Sequence, residues 1–178
     1  MVHAHTTRVL DEWTRRRGPA RRPPARTELS PVLFGPLLPQ MFILADHGAE
    51  GWRFRVAGSR LEALHGRALT GAPFLDLWSA GERPRLIRLL DAVRSEAAPK
   101  VLACRAEAER GGVLALELTL APLIGPTDEA DRMLGLHQPL SRLANLEGRP
   151  VGPLSLVSTG PAASLRLVID NTRRAPLG

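Results

Sequence analysis

The side chains that could do chemistry in this chain are five histidines, one cysteine and a short acidic cluster. His3 and His5 stand two residues apart in an end expected to be disordered. They could take a metal only weakly, because a flexible pair is not pre-organised. His47 falls in a turn, His65 at the end of a short helix, and His137 on a strand. Each of the last two either contacts a ligand or is a structural histidine with its hydrogen bonds met. Cys104 is the single cysteine, so neither an internal disulfide nor a Cys-rich zinc framework is available. It lies on the apolar side of its strand, where a buried thiol behaves as a small hydrophobe with a raised pKa. Asp128, Glu129 and Asp131 share a loop but lack the residues that complete a calcium loop, which leaves a solvated acidic turn. No Gly-x-Ser-x-Gly elbow, phosphate-cradling Gly-x-x-x-x-Gly-Lys or His-Glu-x-x-His occurs, so the motifs of common hydrolases, nucleotide enzymes and zinc proteases are missing. The residues point to a binding module rather than an enzyme.

Charge is placed unevenly. Residues 1–30 carry seven Arg against Asp11, Glu12 and Glu28, residues 31–159 are balanced, and residues 160–178 carry three Arg against Asp170. A neutral middle with basic ends could attract nucleic acid or acidic lipid. Yet the chain holds 23 Arg and one Lys. That is a chain-wide preference, so a nucleic-acid partner is disfavoured. The hydrophobic share of 44% is enough to fill one core, and with four Phe, three Trp and no Tyr the filling falls to Leu, Val and Ala. No run reaches the length of a membrane span, and the N-terminus lacks the apolar region of a leader. A length of 178 residues suits one domain plus tails. The expected location is a reducing cytoplasm.

The elements that must position these residues follow from hydrophobic period. Residues 6–17 predict a helix capped by Thr6 or Thr7, with Val9, Leu10 and Trp13 as its apolar stripe. So short a helix must dock to be stable, on its own sheet or on a second copy. Residues 18–26, rich in Pro and Arg, read as an extended linker. Strands are predicted at 40–46 and 52–57, the second from the alternation of Trp52, Phe54 and Val56. Gly58 is expected to supply a backbone angle that other residues resist. Ser59 and Glu62 have capping-box spacing, and Gly66 suits the left-handed end of the helix they start. Phe74, Leu77 and Trp78 form an apolar turn, and residues 83–96 the longest helix, with Pro84 in its first turn. Two strands joined by Arg110-Gly-Gly112 read as a hairpin whose Leu114, Leu116, Leu118 and Leu120 face the core. The last strand, 131–138, puts Met133, Gly135 and His137 on one face and Leu134 and Leu136 on the other. Residues 139–163 show no clear period and read as mobile. Ser164–Asp170 is a short strand-like run able to add to a sheet edge, and the last eight residues read as disordered.

Taken in order, several of these stretches resemble one family. Leu10-Asp-Glu-Trp13, Arg21-Arg-Pro-Pro24, Glu28-Leu-Ser-Pro31, Leu37-Leu-Pro39, the strand Met41–Asp46, Gly58-Ser59 and Leu69-Thr-Gly71 are similar to the bacterial stand-alone single-domain proteins of the PAS superfamily, over about residues 7–140. The resemblance implies an α+β fold: a five-stranded antiparallel sheet with short helices on one face and an N-terminal docking helix. It implies a sensing or interaction role without catalysis, and a ligand pocket, where there is one, between sheet and helices. It also implies a dimer interface at the N-terminal helix, which makes Leu10 and Trp13 the interface candidates, unless Trp13 covers its own sheet. Haem-binding members place the iron ligand on the long helix, which here has no histidine, and flavin photoreceptors of this type place a reactive Cys in a polar helical motif that is absent. Haem and flavin are therefore disfavoured, and the cofactor is left unassigned.

The reading divides the chain into an N-terminal helix and basic linker (1–26), a PAS-like domain (27–140) and a mostly flexible C-terminal segment (141–178) carrying the run 164–170. The pocket candidates are Trp52, Phe54, Leu64, His65, Phe74, Leu77, Trp78, Cys104 and His137. Their apolar lining suits a small apolar ligand, or else the side chains fill the space themselves. The expected function is a sensory or regulatory module that binds a small molecule, a protein partner or both, and signals as a homodimer. The alternatives are a nucleic-acid regulator using the Arg-rich ends, and a small enzyme with a pocket histidine held by a carboxylate.

Overall fold

The computed structural model describes residues 2–19, 22–108, 112–146 and 148–161. The turn residues Arg110 and Gly111 and the run 164–170 lie outside them. Helix α1 (Ala4–Arg17) precedes strands β1 (Met41–Asp46) and β2 (Trp52–Ala57). Helices α2 (Ser59–His65) and α3 (Arg83–Ser95) follow, then β3 (Lys100–Glu107), β4 (Val113–Leu123), β5 (Arg132–Pro139) and β6 (Ser155–Pro161). The strands form one antiparallel sheet in the order β2-β1-β5-β4-β3-β6. It is the α+β fold expected, with one strand more. The sixth strand comes from residues predicted to carry no regular structure. Leu156 faces the core there, but flanking Ser, Thr and Gly conceal the alternation from a reading of sequence alone.

Period 2 on the strands splits the side chains between two layers. Leu114, Leu116, Leu118 and Leu120 meet Leu61, Leu64, Phe74, Trp78, Leu86 and Leu90 on the α2–α3 side. The opposite face is also covered. Val9 and Trp13 of α1 pack with Ala121, Leu123, Leu134 and Leu136, and Leu10 packs on Val101 and Ala103. Trp13 donates its ring N–H to the Pro122 carbonyl at 2.8 Å. Glu117 and Thr119, whose types suit a wet face, are buried under α1.

α1 starts earlier than predicted, and this orders the two N-terminal histidines. His3 is the N-cap in place of a threonine, its Nδ1 accepting from the His5 N–H at 3.1 Å. The His3 N–H donates to both oxygens of the Glu117 carboxylate, at 3.0 and 3.1 Å, which sets a negative group at the positive end of the helix. Gln138 Nε2 donates to the Pro139 carbonyl, so its Oε1 is the acceptor for His5 Nδ1 at 2.9 Å, and that nitrogen carries the proton. Beyond α1, Pro24 and Arg26 are pinned to the sheet end: Ile124 donates to the Pro24 carbonyl and Arg26 to that of Ile124.

Two local expectations around α2 are corrected. Gly58 has an ordinary φ of −74°. Glycine is needed there for room, because a Cβ would lie 2.4 Å from backbone atoms of Leu38 and Pro39. Gly58 is itself the cap and Ser59 makes no capping bond; Glu62 instead accepts from the Leu69 N–H at 2.9 Å. Gly66 does take the left-handed position, with φ 63°.

Candidate functional site

Helix α2 ends on His65, and β5 presents His137 toward the same layer as Met133. The two rings meet edge to face, with centroids 5.5 Å apart. His137 is 1% exposed, and neither ring nitrogen has a hydrogen-bond partner. His65 is half-buried; its Nε2 is buried and unpartnered, whereas Nδ1 is left accessible. Burial, aided by the charge of Arg67, lowers the His65 pKa from 6.5 to about 4. Burial, aided by His65 and opposed by a contact with its own backbone too poor in geometry to count as a hydrogen bond, lowers that of His137 to about 3. Both imidazoles are thus neutral at pH 7, each with one donor and one acceptor nitrogen.

His65 also forms the floor of a surface cleft of about 350 Å³, walled by Arg67, Asp76, Leu77, Arg83, Val151 and Pro153. The far wall is a strap from the segment read as mobile. Val151 donates to the Leu64 carbonyl at 2.8 Å, Gly152 to Glu107 at 2.8 Å and Leu154 to Leu77 at 2.7 Å. The strap carries Leu146, Val151 and Leu154 into the core and delivers the chain to β6. No motif marks it, because its backbone bonds go to three separate elements and impose no period on the sequence.

The remaining pocket candidates lie in the same layer but mostly pack on one another. Phe54 and Phe74 sit 5.8 Å apart, and Phe74 and Trp78 5.9 Å apart. Phe42, absent from the sequence-based set, completes the group at 5.5 Å from Phe54; its ring lies over Gly135, where a Cβ would come within 1.9 Å. Trp52 and Leu64 are buried in the same cluster, and Leu77 both packs there and walls the cleft. Trp78 keeps a buried, unpartnered ring N–H. Cys104 is buried on β3, and burial pushes its thiol pKa up. Leu10 and Trp13 are buried against their own sheet, so the surface of α1 does not offer them to a second copy. A second hollow of about 430 Å³, lined by Phe34, Met41, Ile43, Leu123 and Leu134, opens on the α1 side of the sheet beside exposed Leu38 and Val56. Among the described residues no cluster of three or more His, Cys, Asp or Glu side chains could hold a metal, and no helix is long and apolar enough to cross a membrane.

No curated protein matches the chain. Among solved structures it is similar to the Rhodobacter sphaeroides LOV protein, with 17% identity over 59% of this chain and 61% of that one, at a TM-score of 0.46. It therefore spans about three fifths of that protein's length. The dark structure of the blue-light photoreceptor Aureochrome1 LOV is similar over 61% of this chain and 80% of that one, with 11% identity and a TM-score of 0.46. The family model described as PAS domain matches residues 1–138, which take in α1, both N-terminal histidines, α2, α3 and nearly all of β5, and on that match the chain belongs to the PAS domain family.

Proposed function

We propose that this chain is a non-catalytic sensory or regulatory PAS module that binds a small molecule at the cleft lined by His65, whose ring touches the buried His137. It passes the bound state to a protein partner or through a change in a homodimer. The observation that supports this is His137. A buried imidazole with both nitrogens unpartnered is costly to maintain in a layer otherwise filled by Leu and Phe. A ligand seated on His65 would act on the ring that His137 touches.

The other readings find less support. Neither pocket histidine is held by a carboxylate among the described residues, as a small enzyme of the kind considered would need. The N-terminal arginines are partly engaged within the chain, Arg15 and Arg16 with Glu12 and Arg22 with Asp128, which weakens the case for a nucleic-acid arm. The location and protonated state of Cys104 do not fit a photoreactive thiol beside a flavin. A single buried thiol suits a reducing compartment such as the cytoplasm.

Mass spectrometry of the purified full chain, native and then denatured, tests the proposal. The expected result is a dimer that releases a small compound on denaturation, or binds one on addition with a change in mass distribution. A monomer at micromolar concentration whose state no added compound alters would overturn it.

A further inference from the structure

We propose that the cleft lined by His65, Arg67 and Arg83 is a site for a small carboxylate with a short apolar body; this rests on the reading of the cleft as a ligand site. The walls carry two guanidinium groups against one carboxylate. Arg67 follows the left-handed end of α2, and Arg83 opens α3. Arg67 spends one donor on the Asp76 carbonyl, at 3.1 Å. The Asp76 carboxylate lies 3.8 Å from Arg83, a loose pair between side chains that are each almost half exposed. A guanidinium has five N–H donors in a planar fork that matches a carboxylate, so both arginines retain donors for a guest anion. Leu77, Val151 and Pro153 make the apolar part of the wall, which suits a hydrocarbon body.

His65 adds what a plain basic patch lacks. Of its ring nitrogens only Nε2 is both buried and unpartnered, which leaves Nδ1 to a guest in the cleft. A carboxylate accepting from Nδ1–H fixes the tautomer in which Nε2 is an acceptor. An uncharged guest would make a weaker bond to Nδ1 and would leave the arginine donors to water.

The test uses the full chain, ¹⁵N-labelled on histidine, titrated at pH 7 with butyrate, hexanoate and benzoate, each against its uncharged amide. The carboxylates are expected to bind at least about tenfold more tightly than the amides, as charge-assisted bonds require. They should also move the His65 ring signals to the Nδ1–H tautomer. Arg67→Gln and Arg83→Gln, both at the surface, should each weaken benzoate by about fivefold to tenfold. Equal affinity for acid and amide would overturn the inference, as would indifference to both substitutions or no binding at the solubility limit. Inorganic phosphate binding as tightly as benzoate would overturn the apolar-body requirement. A neutral compound that shifts the His65 and His137 signals would sink the carboxylate while keeping the ligand site, whereas rings that respond to nothing would sink both.

Discussion

A neutral imidazole buried without partners loses its bonds to water and receives nothing in return, a penalty of about 1–3 kcal/mol per group. His137 is such a residue, and replacing both nitrogens by carbon should remove the penalty. His137→Leu is therefore expected to leave stability at pH 7 unchanged or to raise it by about 1 kcal/mol, read from urea unfolding. A loss above about 2 kcal/mol would mean that the ring has partners after all. The pH dependence has a definite sign. The folded pKa values, about 4 for His65 and about 3 for His137, lie below the unfolded 6.5, so the unfolded chain binds more protons. Stability contributed by the neutral rings is complete above pH 6.5 and falls as pH drops toward 4, by up to about 1.4 kcal/mol per unit for the fully buried ring. His65, only partly buried and lining the cleft, contributes less. Urea midpoints between pH 7 and 4.5 should fall steeply for the parent and less steeply for His137→Leu; parallel slopes would contradict the assignment. Gly58 makes a different demand. With a Cβ directed at the backbone of Leu38 and Pro39, Gly58→Ala should cost about 1–3 kcal/mol as an overpacked site. A residue that needed only a permissive φ would tolerate alanine, because −74° is open to any side chain.

At the scale of elements, α1 is part of the core. Trp13 is enclosed by Leu134, Leu136 and the end of β4, and its ring N–H is bonded to Pro122. Trp13→Ala is expected to destabilise the chain by about 3–5 kcal/mol, a core cavity together with an orphaned carbonyl. If Trp13 were a dimer anchor, the variant would instead shift the monomer–dimer balance and leave unfolding of the monomer little changed; sedimentation and denaturation on the same samples separate the two. Removing residues 1–26 to test for a nucleic-acid arm would for the same reason be ambiguous, since it uncovers the part of the sheet on which Val9, Leu10 and Trp13 pack. How far sequence legibility reached follows the same physics. Periodicity found α1, α3, the leucine face of β4 and the side of β5 that carries His137, because each repeats one contact along one element. It missed the burial of Glu117 and Thr119, whose polar types hide a covered face, and the ordering of His3 and His5, which depends on a carboxylate 114 residues away. The pocket histidines were legible one at a time. Their contact was not, because it joins a helix end to a strand 72 positions later in the chain.

On the scale of the whole molecule, the match to the PAS domain ends at residue 138, but the packing does not. Leu146, Val151, Leu154 and Leu156 belong to the same cluster as Phe54, Trp78 and Cys104, and β6 covers the edge of β3 from Lys100 to Arg105. A chain ending at residue 140 would keep every motif by which the family is known and yet lose the far wall of the cleft, one strand and four core side chains. Burying those four apolar residues contributes on the order of 6–12 kcal/mol before the entropy of ordering the strap is set against it. Truncation at 140 should therefore lower the thermal midpoint by well over about 10 °C, or prevent folding. Cys104 reports on this from within, without any ligand. In the full chain its thiol is buried and held protonated, so reaction with a disulfide reagent should be slow and limited by opening of the fold. Should the shortened chain still fold, Cys104 on the newly uncovered strand should react many times faster. An equally slow reaction would show that β3 needs no cover from β6, and that the strap is an accessory to the α2–α3 layer rather than part of it.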